Sequence, residues 1–212
     1  MATRAEIKRQ LRAIVGLASD DPLASDDVLN PIVIAANAQI VAEIAETCPD
    51  ALSGTATVTL TAGVGATPAD TYQLRAVRET DRYGSPLTPA PFPELEDTSA
   101  AYALTGIGPA FVLTVTEDVV VAAVWIAYTK GAPAADLAAD TDSPTLIPLA
   151  FHDVVALDAA YAMALGGEQR VPPEIAGRLM DRKGRMMAYL DRARGAGPSS
   201  RTRMVVGQGE WP

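Results

Sequence analysis

The chain has 212 residues, 49% of them hydrophobic, and a formal net charge of −9. That length fits one domain, or one domain carrying a small insertion, and the apolar share argues against global disorder. The acidity argues against a protein that binds nucleic acid over its whole surface, because phosphate binding needs clustered Lys and Arg.

From Arg4 to Ala18, the residues Ile7, Leu11, Ile14, Val15 and Ala18 recur at helical spacing, with Arg4, Lys8, Arg9 and Arg12 mostly opposite. Asp20-Asp21-Pro22 breaks that helix. Asn30-Pro31 then reads as an N-cap followed by proline at the first helical position, and Val33, Ala36, Ile40 and Ile44 carry the stripe through Glu46. Ser25-Asp26-Asp27 is the alternative start, with Pro31 as an irregularity inside the helix.

The period then changes to two. Thr55 to Ala62 alternates threonine with apolar residues, which predicts a half-buried strand turning at Gly63 to Pro68. Tyr72 to Ala76 predicts a second strand. Tyr83 to Asp97 holds four prolines (Pro86, Pro89, Pro91, Pro93) and reads as a loop without regular structure. Ala101–Thr105, Ala110–Val115 and Val119–Thr129 predict three more strands, turning at Gly106–Pro109 and Glu117-Asp118. Together they suggest an antiparallel sheet built largely from sequence neighbours.

Helical spacing returns after a polar connection over 130–144. One helix is predicted from about Pro148 to Leu165, and a last one from Pro172-Pro173 to Arg194. The expected fold class is α+β: a helical unit of two N-terminal and two C-terminal helices, interrupted by an antiparallel β-sheet domain and followed by an extended arm. The corresponding segments are 1–50, 51–130, 131–195 and 196–212.

Little in the sequence equips an enzyme. His152 is the single histidine and Cys48 the single cysteine, so multi-histidine and multi-cysteine metal sites and an intrachain disulfide are ruled out. No Gly-x-Ser-x-Gly elbow occurs, and Gly63-Val64-Gly65 sits in a turn rather than between strand and helix. His152-Asp153 reads as a structural helix start. Asp136, Asp140 and Asp142 read as a solvated loop, since they lack the glycine and distal glutamate of a calcium loop. Met180, Met186 and Met187 read as core or subunit contacts, and Cys48 as inert. No catalytic residue, metal site or cofactor is expected. The N-terminus lacks the pattern of a signal peptide and no run of 18 apolar residues occurs, so a soluble protein is expected.

Charge is unevenly spread. Residues 178–212 hold eight Lys or Arg against three acids, whereas the preceding residues hold nine against 23. Such asymmetry suggests that the tail meets something acidic: another protein, nucleic acid, or the next copy of the same body. On the last helix the basic candidates are Arg178, Arg182, Lys183, Arg185, Arg192 and Arg194. In the arm, Arg201 and Arg203 stand beside Met204, Val205, Val206 and Trp211, residue types that anchor a tail when it docks.

The stretch AYALTGIGPAFVLTVTEDVVVAAVWIAYTKGAP, followed by SPTLIPLAFHDVVALDAAYAMAL, resembles the head-to-tail connector (adaptor) proteins of tailed bacteriophages. The matching positions are Tyr102, Gly106, Val112–Val115, Val124–Tyr128, Pro148, Phe151 and His152, and the order of elements agrees from about residue 5 to 195. The proline-rich stretch 83–93 has no fixed counterpart, and Thr116-Glu117-Asp118 lacks a proline common at that turn. The resemblance implies a structural virion protein, assembled in the host cytoplasm and placed in the neck. It would form a ring of about twelve copies beneath the portal protein, contact the next neck or tail protein, and let DNA pass without specific binding. Arg201 to Trp211 would then be the portal-docking arm. Another neck or tail-completion (stopper) protein, or a β-sheet module binding carbohydrate or peptide, are the alternatives.

Overall fold

The structure, a computed structural model, describes residues 2–18, 20–106, 111–133, 136–166 and 172–195, and of Glu96, Asp97, Arg194 and Gly195 the backbone alone. The chain is α+β, with two helices before and two after a β region. The arm, with Arg201, Arg203, Met204, Val205, Val206 and Trp211, lies outside the described residues, as does the side chain of Arg194.

Helix α1 (Arg4–Val15) begins with a capping box. The Thr3 hydroxyl accepts from the Glu6 N–H at 3.4 Å, and the Glu6 carboxylate accepts from the Thr3 N–H at 3.0 Å. It stops at Gly16, whose φ of 77° is the left-handed conformation that glycine adopts without a Cβ penalty. Helix α2 (Asp26–Thr47) starts at Ser25, the second of the two starts open from sequence, and not at Asn30; Pro31 lies inside it. Proline removes one backbone hydrogen bond there. In exchange Leu29 joins Val33, Ala36, Ile40 and Ile44 on the buried stripe, and Leu29 is fully buried.

The β region departs most from the sequence expectation of one sheet of sequence neighbours. Strands β1 (Ser53–Thr59), β2 (Val64–Ala66), β3 (Thr71–Glu79), β4 (Thr88–Pro89), β5 (Ala101–Thr105), β6 (Val112–Val115) and β7 (Ala123–Lys130) form two sheets, in the orders β1-β7-β3 and β2-β6-β5-β4. β7 is central and antiparallel to both neighbours, which precede it by more than 40 residues. Its Val124, Ile126 and Tyr128 are buried, so two partners cover it better than one hairpin could. β4 pairs with β5 in parallel. Thus the proline-rich stretch holds a short strand and a 3₁₀ segment (Phe92–Asp97), and the turn at 63–68 holds β2. The last strand begins at Ala123 rather than Val119, because Thr116 to Val119 closes a turn that leaves Val120 exposed.

Helices α3 (Asp153–Gly166) and α4 (Pro173–Gly195) complete the chain. One apolar core joins α1, α2, α3 and α4 through Leu11, Ile40, Leu157 and Met186; a second joins the strands through Val58, Leu113, Val124 and Ile126. Met186 thus belongs to the core, while Met180 is exposed. The 3₁₀ turn Pro49–Leu52 lies at the junction, touching α2, α4 and β7. Tyr72 also donates to Glu46 at 2.9 Å there, and Arg75 pairs with Asp50. Helix α2 and residues 149–166 are long and apolar enough to cross a membrane by length and composition alone, yet both contribute heavily to the helical core.

The connection between β7 and α3 is not the solvated loop that its acids suggested. Asp136 is buried and accepts from Asn37 Nδ2 at 2.8 Å, and Leu137 is fully buried. Asp140 pairs with Arg4 at 2.8 Å and with the buried Lys8 at 2.8 Å, while Asp26 pairs with Lys8 at 2.9 Å. Asp140 thus ties this strap to α1 and Asp136 ties it to α2, while the Asp142 carboxylate accepts from the Ala139 N–H within the strap.

Hydrogen bonding to Lys8 holds the Asp26 carboxyl below the usual carboxylate range, and Lys8 with Arg4 does the same to Asp140. A depressed folded pKa means stability present above about pH 3.8 and lost as pH falls through the lower folded values. A Lys8→Met variant is therefore expected to show a shallower loss of urea midpoint between pH 4 and 2. Parallel acid limbs for the two proteins would show that these carboxylates do not sense Lys8.

Candidate functional site

The basic side chains of α4 are the candidates carried forward from sequence, and the fold separates them into two groups. Arg182 and Lys183 turn inward. Arg182 grips Asp153, with Nε at 2.7 Å and Nη2 at 2.5 Å from the two carboxylate oxygens, and donates to the Ala150 carbonyl at 2.8 Å. Its guanidinium lies 5.2 Å from the centre of the Phe151 ring, which in turn meets Tyr189 at 5.6 Å. These contacts fasten α4 across the start of α3.

Lys183 lies between Glu43 of α2 at 2.7 Å and Asp158 of α3 at 2.9 Å. Asp158 is almost fully buried, so this is an internal ion triad joining three helices. Burial works against the Lys183 charge, but hydrogen bonds to Glu43 and Asp158 outweigh it and raise the pKa.

The rest of the set faces outward. Arg185 pairs with Asp181 one turn back at 3.0 Å, and Arg192 donates to the Ala188 carbonyl at 3.1 Å. Arg178 lines a shallow hollow with Glu174, Ile175, Ala13 and Ile14, between α4 and α1. A docking face on α4 is therefore confined to Arg178, Arg185 and Arg192 among the described side chains.

His152 is buried, with Nε2 3.0 Å from the Ile147 carbonyl oxygen, where it holds the turn that opens α3. Cys48 caps α2 and packs against the helical core. No group of three or more His, Cys, Asp or Glu side chains suited to a metal ion occurs among the described residues.

Sequence reasoning missed Glu43, Asp153 and Asp158 as partners of the basic helix. One signal was present for Asp158: an acid inside the apolar run VVALDAAYA is rarely buried unless paired. Nothing local marked Glu43, which lies 140 residues before Lys183.

No protein-family model matches the chain, and no curated protein matches it. Among solved structures it is similar to a chain described as "Neck of empty GTA particle computed with C6 symmetry", at 18% identity over 78% of this chain and 80% of that chain, with a TM-score of 0.28. A score that low carries no weight for fold or function.

Proposed function

We propose that this chain is a structural protein of a tailed-phage neck, a head-to-tail adaptor whose copies form a ring joining the portal to the tail and letting DNA pass. The observation that carries the reading is the ordered motif set resembling that family. Tyr102 lies on β5, Val112–Val115 on β6, Val124–Tyr128 on β7, and Pro148, Phe151 and His152 at the entry to α3.

Charge supports it. A conduit must pass DNA without holding it, and a body with nine bases against 23 acids before residue 178 repels phosphate. Chemistry supports it as well. The buried Asp158 and the buried pair Asn37 and Asp136 join elements to one another, Asp158 through Lys183, and the half-exposed Arg182 does the same through Asp153. Arg201, Arg203 and Trp211, which lie outside the described residues, are of the types that anchor a docking tail.

Native mass measurement tests the reading, on the purified chain alone and mixed with a candidate portal ring. The expected species is roughly twelve times the 22.1 kDa chain mass, alone or on the portal. A chain that stays monomeric at high concentration and ignores the portal would overturn it.

A further inference from the structure

We infer that the cleft at the tip of the second sheet, floored by Phe92 and Leu95 and rimmed by Glu117 and Asp118, receives residues 201–206 of a second copy, which presupposes the self-assembling protein proposed above.

The cleft has a cavity volume of about 750 Å³, lined also by Ala62 and Val115, and no basic side chain lines it among the described residues. A second hollow shares Ala62, Val115, Thr116 and Glu117 with it and continues to Val120. Phe92 is 55% and Val120 91% exposed, so the surface combines uncovered apolar groups with charge of one sign. Over residues 83–129 the sequence has five acids, Glu94, Glu96, Asp97, Glu117 and Asp118, and no Lys or Arg. Asp118 accepts from the Ala100 N–H at 3.0 Å, and the Thr116 hydroxyl with that N–H keeps its carboxyl below the usual range and charged.

An occupant must therefore be basic and partly apolar, and short enough to fit a cleft of this size. Nucleic acid fails on sign. Arg201-Thr202-Arg203-Met204-Val205-Val206 meets each requirement, with two cations next to three apolar side chains. The basic residues of α4 are poorer candidates, because Arg182, Lys183 and Arg185 already hold carboxylates, and Arg178 and Arg192 stand about 21 Å apart along the helix, too far to enter one cleft together. Arg201 stands six residues after Gly195 and Val206 eleven, contours of at most about 22 and 40 Å. The cleft of the next subunit must then lie within that reach, and in a ring each arm would hold its neighbour.

Disulfide trapping between differently sized full-length chains tests this, in a Cys48→Ala background. One population carries Val120→Cys and the other Val205→Cys, so a mixed disulfide can form only between copies. The expected yield is roughly tenfold above a control in which the first population carries Tyr83→Cys, at another exposed site. Reversal of the arm charges (R201E with R203E) should return the yield to the control level. Glu117→Lys alone should do the same, and combining it with the reversed arm should restore the product.

A mass spectrum showing rings without trapping above control would overturn the arm contact and leave self-assembly standing. Trapped pairs in a sample that never exceeds dimers would keep the contact and remove the ring. A chain carrying both cysteines that closes only on itself, with no mixed product, would assign the cleft to its own arm and overturn the second copy.

Discussion

Replacing Lys183 with alanine is expected to cost about 3–5 kcal/mol of stability, more than most single substitutions. The side chain is the one cation between Glu43 at 2.7 Å and Asp158 at 2.9 Å among the described residues. Glu43 can turn to water, since its side chain is 41% exposed, but Asp158 at 6% cannot. Lys183→Ala therefore leaves a carboxylate buried without its counter-charge, the costly way to break an ion pair. Lys183→Met with Asp158→Leu removes both charges and keeps apolar volume, and should recover most of the loss. Urea unfolding followed at 222 nm reads both variants. If Lys183→Ala costs under about 1 kcal/mol, Asp158 reaches water and the triad is no buried network. The raised Lys183 pKa adds a sign: its contribution is complete below the ordinary value of 10.5 and is lost as pH rises through the higher folded one.

The second large effect is expected at the other core. Ile126 is fully buried on β7 and stands between Ala56 of β1 and Val77 of β3. Ile126→Ala removes three carbons from the strand that both neighbours need, and about 2–5 kcal/mol is lost to transfer and cavity terms together. The adjacent Trp125 reports on that strand, read in a Trp211→Phe background. Because the strands and the helices have separate cores, the Trp125 transition should move further than the helical signal at 222 nm. Equal shifts would mean that the junction at Pro49–Leu52 couples the two into one unfolding unit.

The placement of the helices was legible in the sequence, because 3.6-residue periodicity is a local property. The stripe through Val33, Ile40 and Ile44 faces the core it was expected to face, whereas α1 ends at Val15, short of the expected Ala18, because Gly16 turns left-handed. The start of α2 was harder. Local chemistry at Pro31 favours a helix beginning there, and only the burial of Leu29 tips the balance to Asp26. The α+β class likewise follows from the change of period at Thr55 and its return after Pro144, with each pattern fixed by residues a few positions apart.

Strand pairing was not legible, since a strand's alternation says which face is buried but not which neighbour covers it. β7 pairs with β1 and β3 rather than β6 because its buried Val124, Ile126 and Tyr128 find more cover between two long strands. Ion pairs were hidden for the same reason. Lys183 read as surface charge until α2 and α3 brought Glu43 and Asp158 to it, and Asp140, which does stay exposed, gave no sign of its pairing with Arg4 and Lys8 of α1. A charged side chain carries no local sign of which residue it will meet, so its partner is decided by packing across 18 to 140 residues of sequence. What the sequence by itself determined is the order of elements, their apolar faces and the acidic body with its basic tail. Tertiary packing decided the sheet order, the ion triad that locks the helices, and the single-sign cleft at the tip of the second sheet.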